Sequence, residues 1–160
     1  MNSEKMNTWL TLITNFGVLV GIVFLAFEVQ QNTKITKAQT RDAVTQKQIE
    51  WFRTIGTDPR AAEILRKGVD ANVNPEAVEA LSFNFLIQSS FRMWENEYYQ
   101  YEMGLFDEAE FLPRIDRWKA AISRSPGRKQ VWNMSRTGYS PEFRDLIDRL
   151  YTETDSGDDT

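Results

Sequence analysis

The sequence has no histidine and no cysteine in its 160 residues. That excludes Ser-His-Asp and Cys-His nucleophile systems, an imidazole general base, thiolate zinc sites, haem held by histidine and any disulfide framework. Charge is missing from one place: no residue between Lys5 and Glu28 carries any. Breakers are missing from another, since neither glycine nor proline interrupts the chain from Ile22 to Ile55. No alternating strand pattern of useful length, internal repeat or long linker is present. The mean hydropathy of −0.49 is that of an ordinary soluble protein, but it averages over two very different parts.

The uncharged run, Met6 to Phe27, is 22 residues long, about 33 Å as an α-helix. A bilayer core is about 30 Å thick. Phe16 to Phe27 is almost wholly aliphatic and aromatic, and Trp9 stands near one end, where an interfacial aromatic belongs. The run reads as a transmembrane helix. A signal peptide usually has a shorter apolar region and an Ala-x-Ala-like site, and none precedes Gln30-Gln31-Asn32. A core helix of this length at the edge of a small domain would be hard to cover. The implied organisation is a flank over 1–8, the membrane helix over 9–29, a helical stalk over 30–56, a helical bundle over 57–151 and a disordered acidic tail over 152–160. Lys34, Lys37, Arg41 and Lys47 on one side outweigh Lys5 on the other, so the bundle is expected in the cytoplasm with the N-terminus outside. The lack of cysteine suits either compartment.

Two polar stripes mark the membrane helix. Thr14, Gly17 and Gly21 include a Gly-x-x-x-Gly, which allows close approach of two helices. Thr8, Thr11 and Asn15 form the second, and an amide in hydrocarbon needs a partner. Asn15, Gly17 and Gly21 are thus the candidate packing residues of a homo-oligomer. If several copies turned Thr8, Thr11 and Asn15 to a shared axis, the assembly would be a small pore.

The rest reads as all-α. The membrane helix is expected to continue until Gly56. Asp58-Pro59 and Asn74-Pro75 are helix starts, the first helix closing at Gly68 and the second running to Gly104. Apolar residues surround the second, among them Leu81, Phe83, Phe85, Ile87, Phe91 and Trp94, so it is expected to be buried on most sides. Asp107 opens a fourth helix, with Pro113 as a kink or late start. Pro126-Gly127 punctuate before a short helix with Val131 and Trp132, and Ser140-Pro141 cap the last.

Net charge is −4 and the isoelectric point about 5.0. Nine acidic residues and one basic, Arg92, lie between Asp70 and Glu110; seven basic and one acidic, Asp116, lie between Arg114 and Arg136. The two blocks either face each other as neighbouring helices, or the basic one meets anionic lipid or an acidic partner. With no recognisable motif and an acidic chain, nucleic acid is not an expected partner.

Gln88, Arg92, Glu95 and Tyr99 share one helical face, with Asn96 beside them. They form the candidate polar cluster: a network fixing helix register, or a small pocket in which Arg92 holds an anion and Glu95 acts as acid or base. Arg128 and Lys129, beside Pro126-Gly127, are candidates for an anion or lipid contact at a helix start. Asp107, Glu108 and Glu110 suit a helix N-terminus better than a metal. No metal site, cofactor motif, phosphate loop or calcium loop is read from the spacing.

Val29-Gln30-Gln31-Asn32-Thr33 after the anchor, Asp58-Pro59, Trp94-Glu95-Asn96-Glu97-Tyr98-Tyr99-Gln100-Tyr101 ahead of Gly104, Gly127 with Trp132, and Ser140-Pro141-Glu142-Phe143 occur in an order that resembles a group of small bacterial single-pass membrane-anchored helical proteins without an assigned activity. The resemblance covers most of the chain to about Tyr151. It implies a bacterial inner-membrane setting and no catalytic residue. The leading expectation is a non-enzymatic, self-associating interaction or regulatory module whose bundle could take a protein partner; the alternatives are a membrane-bound enzyme or ligand sensor at Arg92 and Glu95, and the pore.

Overall fold

A computed structural model describes residues 3–70 and 77–156. They form six α-helices and no strand: α1 Ser3–Thr57, α2 Pro59–Val69, α3 Ala77–Glu102, α4 Glu108–Ser123, α5 Pro126–Ser135 and α6 Pro141–Ser156, with a 3-10 turn at Arg136–Gly138. The all-α class is therefore observed. The chain divides at Gln39 and Thr40 into two compact units.

The first unit is helix throughout its described residues, including the flank read over 1–8 from Ser3 onward. Every side chain from 3 to 36 is exposed; Trp9, Phe16 and Phe27 each show 66% of their surface. No protein covers the apolar run, so it is not a core helix of this fold, and it is long and apolar enough to cross a membrane.

The second unit begins earlier than the sequence suggested. Residues 40–56 of α1, assigned above to a stalk, belong to the bundle. Val44 is buried, the Gln48 amide donates to Glu97 Oε1 at 2.6 Å, and the Trp51 indole N–H donates to Ser89 Oγ at 3.2 Å. The periodicity of 30–56 is mostly polar, and these attachments use amide and indole groups that a hydropathy pattern does not register.

Local chemistry sets the helix ends. Asp58 Oδ1 accepts the Arg60 N–H at 2.9 Å with Pro59 at the first helical position; Ser125 Oγ accepts the Arg128 N–H at 3.2 Å with Pro126 in the same place. Both satisfy N–H groups that a helix start leaves unpaired. Pro126 and Gly127 thus lie inside α5 rather than ahead of it. The Asn74-Pro75 signal falls outside the described residues. At the end of α3, Gly104 takes φ +69°, Leu105 N–H bonds Gln100 O at 2.9 Å and Gly104 N–H bonds Tyr101 O at 2.8 Å, a Schellman closure. Pro113 sits within α4 without starting it late.

The core is aromatic. Trp94 and Trp118 stack at 5.3 Å between centroids, Phe91 lies 4.8 Å from Trp132, and Phe143 sits among Trp118, Trp132 and Tyr139. Helix α3 supplies one stripe to it, Phe83, Ile87, Ser90, Phe91, Trp94 and Glu97, all buried. The expectation of burial on most sides is corrected: Val78, Leu81 and Phe85 lie on another face and are exposed, because α2 and α5 pack on one side of the helix. The expected disordered tail is also corrected. Helix α6 runs to Ser156, with Glu153 2.6 Å from Lys119 Nζ and Asp155 2.7 Å from Lys129 Nζ; composition suggested a tail, and opposing lysines on α4 and α5 hold its first turn in place. Residues 157–160 lie outside the described residues.

Helices α2, α3 and α5 meet at two glycines. A Cβ on Gly68 would come within 2.2 Å of the Phe83 ring, and one on Gly127 within 1.8 Å of the Gly68 carbonyl oxygen. Backbone cannot yield as a side chain does, so Gly127→Ala is expected to lower the stability of the bundle by at least about 2 kcal/mol through forced separation of α2 and α5. Gly56, with nothing within 4 Å of its Cβ position, is the control: Gly56→Ala should leave stability unchanged or raise it by up to about 1 kcal/mol. Denaturant unfolding followed by Trp fluorescence measures both, and a neutral Gly127→Ala contradicts the close crossing.

Candidate functional site

The cluster chosen from sequence is assembled as a brace. Arg92 Nη1 lies 2.7 Å from Glu95 Oε2, and Arg92 Nη2 donates to Gly138 O at 2.8 Å. Glu95 Oε1 accepts the Ser140 N–H at 2.7 Å, and the Arg92 guanidinium lies 4.2 Å from the Tyr139 ring centroid. Together these tie α3 to the turn that leads into α6. Gln88 donates to Asn84 at 2.5 Å, while its carbonyl accepts the Tyr139 hydroxyl at 3.3 Å. Asn96 lies on a shallow neighbouring groove with Trp51, and Tyr99 is exposed. Arg92 and Glu95 thus satisfy each other and backbone groups, and Tyr99 stands apart.

A different constellation gathers around a partly open cleft of the second unit. A cavity of about 450 Å³ lies between residues 41–52 of α1, α3, α4 and the start of α5. Trp51, Trp94 and Trp118 line it, with Arg41, Arg114, Arg117 and Arg128 against two carboxylates, Glu97 and Glu110. Glu97 is wholly buried. Besides the Gln48 amide on Oε1, its Oε2 lies 3.4 Å from Arg114 Nη1 but has no hydrogen bond. Arg114 also lies 3.5 Å from Glu110, which Arg41 approaches at 3.4 Å. Arg114 Nε is buried without a hydrogen-bond partner.

Arg128 is more unusual. It is the third residue of α5, 6% exposed, and its Nη1 donates to Ser90 Oγ at 2.6 Å. The guanidinium lies 5.1 Å from the Trp94 ring centroid and 5.7 Å from that of Phe91. Among the described residues no carboxylate comes within 4.0 Å of it, and Nε has no hydrogen-bond partner. Burial lowers its pKa to about 10, so it remains a cation at neutral pH. Lys129, its sequence neighbour, points elsewhere and pairs with Asp155 on α6. The candidate pair Arg128 and Lys129 is therefore split between the interior and the surface.

Glu97 also bears the mark of burial. Desolvation pushes its carboxyl above the usual carboxylate range, and the Gln48 hydrogen bond and the Arg114 charge pull back less strongly. The sequence reading missed Glu97 and Arg114 because it followed the face carrying Arg92 and Glu95. The available signal was the 3-4 spacing of Phe83, Ile87, Ser90, Trp94 and Glu97, which puts a carboxylate on the covered stripe. The charge blocks meet mainly elsewhere: Glu97 with Arg114 joins the acidic block to the basic one, whereas Lys119, Lys129 and Arg136 pair with Glu153, Asp155 and Asp148 of α6.

In the first unit, the Thr8, Thr11 and Thr14 hydroxyls donate to carbonyl oxygens four residues back at 2.9–3.0 Å. Asn15 makes no such bond, and no atom lies within 4 Å of a Cβ placed on Gly17 or Gly21. Among the described residues no three acidic side chains gather to hold a metal ion. What the cavity offers is recognition chemistry, with guanidinium forks for an acid group and flat indoles for an apolar body.

A raised carboxyl pKa opposes folding once the group must ionise. Its contribution is most favourable below the unfolded carboxylate pKa and is lost as pH rises through the folded value. Glu97→Gln keeps an acceptor for the Gln48 amide and removes the ionisation. The variant should match the parent near pH 4.5 and become the more stable of the two as pH rises toward 8, measured by thermal unfolding at several pH values. A variant less stable at pH 8 than at pH 4.5, relative to the parent, contradicts desolvation as the dominant cause.

Comparison with known protein families, curated proteins and solved structures returns no match for this chain.

Proposed function

We propose that the protein is a single-pass, membrane-anchored and self-associating helical module of a bacterial inner membrane, which presents its bundle to the cytoplasm as an interaction or regulatory unit. The observation that carries this reading is the uncovered apolar run of α1, in which every side chain from 3 to 36 is exposed. An apolar surface of that extent is stable in a bilayer or against other copies, not in water. The basic residues Lys34, Lys37, Arg41 and Lys47 support a cytoplasmic bundle, and the resemblance to small bacterial anchored proteins supports the inner membrane. Self-association is supported by Gly17 and Gly21, whose bare backbone invites a second helix, and by Asn15, an amide without a hydrogen bond inside hydrocarbon. The threonines bond within their own helix, so they make a weaker case for a shared polar axis.

The arrangement of Arg92, Glu95, Gly138 and Ser140 favours a brace over a reactive centre, so a structural role is proposed for that cluster. Regulation then falls to surfaces and cavities of the bundle, not to turnover at Arg92.

Because the chain lacks cysteine, introduced thiols report topology without interference. Ser3→Cys should react with a membrane-impermeant maleimide on intact spheroplasts, and Thr137→Cys only after lysis. The reverse pattern contradicts the orientation, and release of the protein from membranes by alkaline carbonate contradicts the anchor. Replacing Gly17 and Gly21 together by Leu should lower the mass of the assembly measured in mild detergent by light scattering; an unchanged oligomer, or a parent that is already monomeric, removes self-association through this stripe.

A further inference from the structure

Arg128 presents an unresolved electrostatic problem. It is nine-tenths buried, it has no carboxylate within ion-pair distance among the described residues, and one guanidinium nitrogen lacks a hydrogen bond. It also occupies the first turn of α5, where the helix dipole is positive and disfavours a cation. A buried charge normally needs a partner of opposite sign, and aromatic faces and one hydroxyl supply only part of that. The missing partner has room: Arg128 lines the cavity of about 450 Å³, within the range of about 300–1,000 Å³ typical of small-molecule sites.

The rest of the lining narrows the chemistry. Arg41 and Arg114 engage Glu97 and Glu110 at 3.4–3.5 Å, and Arg117, an exposed residue of the lining, adds a second cation to that of buried Arg128. Two such charges match a dianion or a single bidentate acid group better than a neutral ligand. The two carboxylates repel an occupant charged over its whole surface, and the indoles of Trp51, Trp94 and Trp118 offer flat apolar contact.

We propose that this cavity binds a small organic acid with a flat apolar body, its carboxylate or phosphate group held by Arg128 with Arg117 and its body against the tryptophans. The acid group belongs either to a free soluble compound or to the headgroup of a phospholipid, whose acyl chain then takes the place of the flat body, and guanidinium recognition is common to both. The reading goes beyond membrane anchorage: it stands if the orientation of the protein is reversed, and it fails without affecting the anchor. Occupancy joins residues 41–52 of α1 to α3, α4 and α5 across one ligand, which is how a bound metabolite would stiffen the bundle.

The test uses the full chain in detergent and in nanodiscs. Phenyl phosphate is the soluble probe, with inorganic phosphate and phenol as its two halves, each titrated by calorimetry. Phenyl phosphate should bind at least tenfold more tightly than either half. Arg128→Met should weaken that binding at least tenfold while the unliganded protein stays as stable as the parent or becomes more so, since an unpaired buried cation has been removed. Arg128→Lys, which keeps the charge but not the fork, should lie between them and serves if the Met variant does not fold. Native mass spectrometry forms the second arm: a phospholipid retained by the parent and lost from the Arg128 variants, without phenyl phosphate binding, assigns the acid group to a lipid headgroup. Equal binding by parent and Arg128 variants, or no soluble probe and no retained lipid on a folded parent, overturns the proposal. So does a large loss of unliganded stability in both variants, which makes Arg128 a purely structural cation.

Discussion

The bundle depends on one stripe of α3 that has to be covered and changes character along its length. Phe83, Ile87 and Phe91 need only apolar contact, and α2 and α5 supply it closely enough that Gly68 and Gly127 have no room for a Cβ. One turn further on, Trp94 is still apolar, but Glu97 is a carboxylate with no solvent exposure. Covering that end requires polar groups, and they come from three helices: Gln48 of α1, Arg114 of α4 and, beside Ser90, Arg128 of α5. The transition from aromatic packing to buried charge along a single helix creates the cavity.

Buried ionic groups seldom add stability when compared with well-packed apolar ones. Here the Glu97 carboxyl is raised and the Arg128 guanidinium lowered, both with desolvation as the first cause, so each is held in a less comfortable state than water would provide. A fold retains such groups without loss where they fix the register of helices or meet a ligand. The Glu97 environment serves the first purpose, since Gln48 and Arg114 both reach it. Arg128 has no such carboxylate partner among the described residues, and the proposed ligand would supply one.

Much of the architecture was legible from simple chemistry. Asp58-Pro59 marked a helix start because an acceptor followed by proline satisfies and pre-shapes a first turn, Ser140-Pro141 marked another through its proline, and Gly104 marked an end because glycine readily takes the positive φ found there. The uncharged run was legible because no charge interrupts it from Met6 to Phe27, and among the described residues no side chain covers it. Three features were hidden. The attachment of residues 40–57 runs through Gln48 and Trp51, polar contacts that leave no trace in hydrophobic periodicity. The helix from Tyr151 to Ser156 is held by lysines far away in sequence. Pro126-Gly127, read as punctuation, is a helix start whose glycine serves a close crossing with Gly68.

The candidate site was half legible. Arg128 was singled out, but with Lys129, as if both faced one ligand; in a helix, adjacent residues point about 100° apart, and one entered the core while the other met Asp155. Arg92 and Glu95 drew attention as an ion pair on an apolar helix, yet their face leans on Gly138 and Ser140 rather than on a cavity. Glu97, next to Asn96 in sequence but on the covered stripe of the helix, carries the burial that matters.

The most direct measurement is an experimental structure of the protein purified from native membranes without added ligand, at a resolution that defines the Arg128 side chain. The account predicts density for an acid group in contact with the Arg128 guanidinium, at about 2.8 Å, and a flat body against the tryptophans. An Arg128 side chain turned to solvent, or paired with a carboxylate of the chain itself, would contradict it.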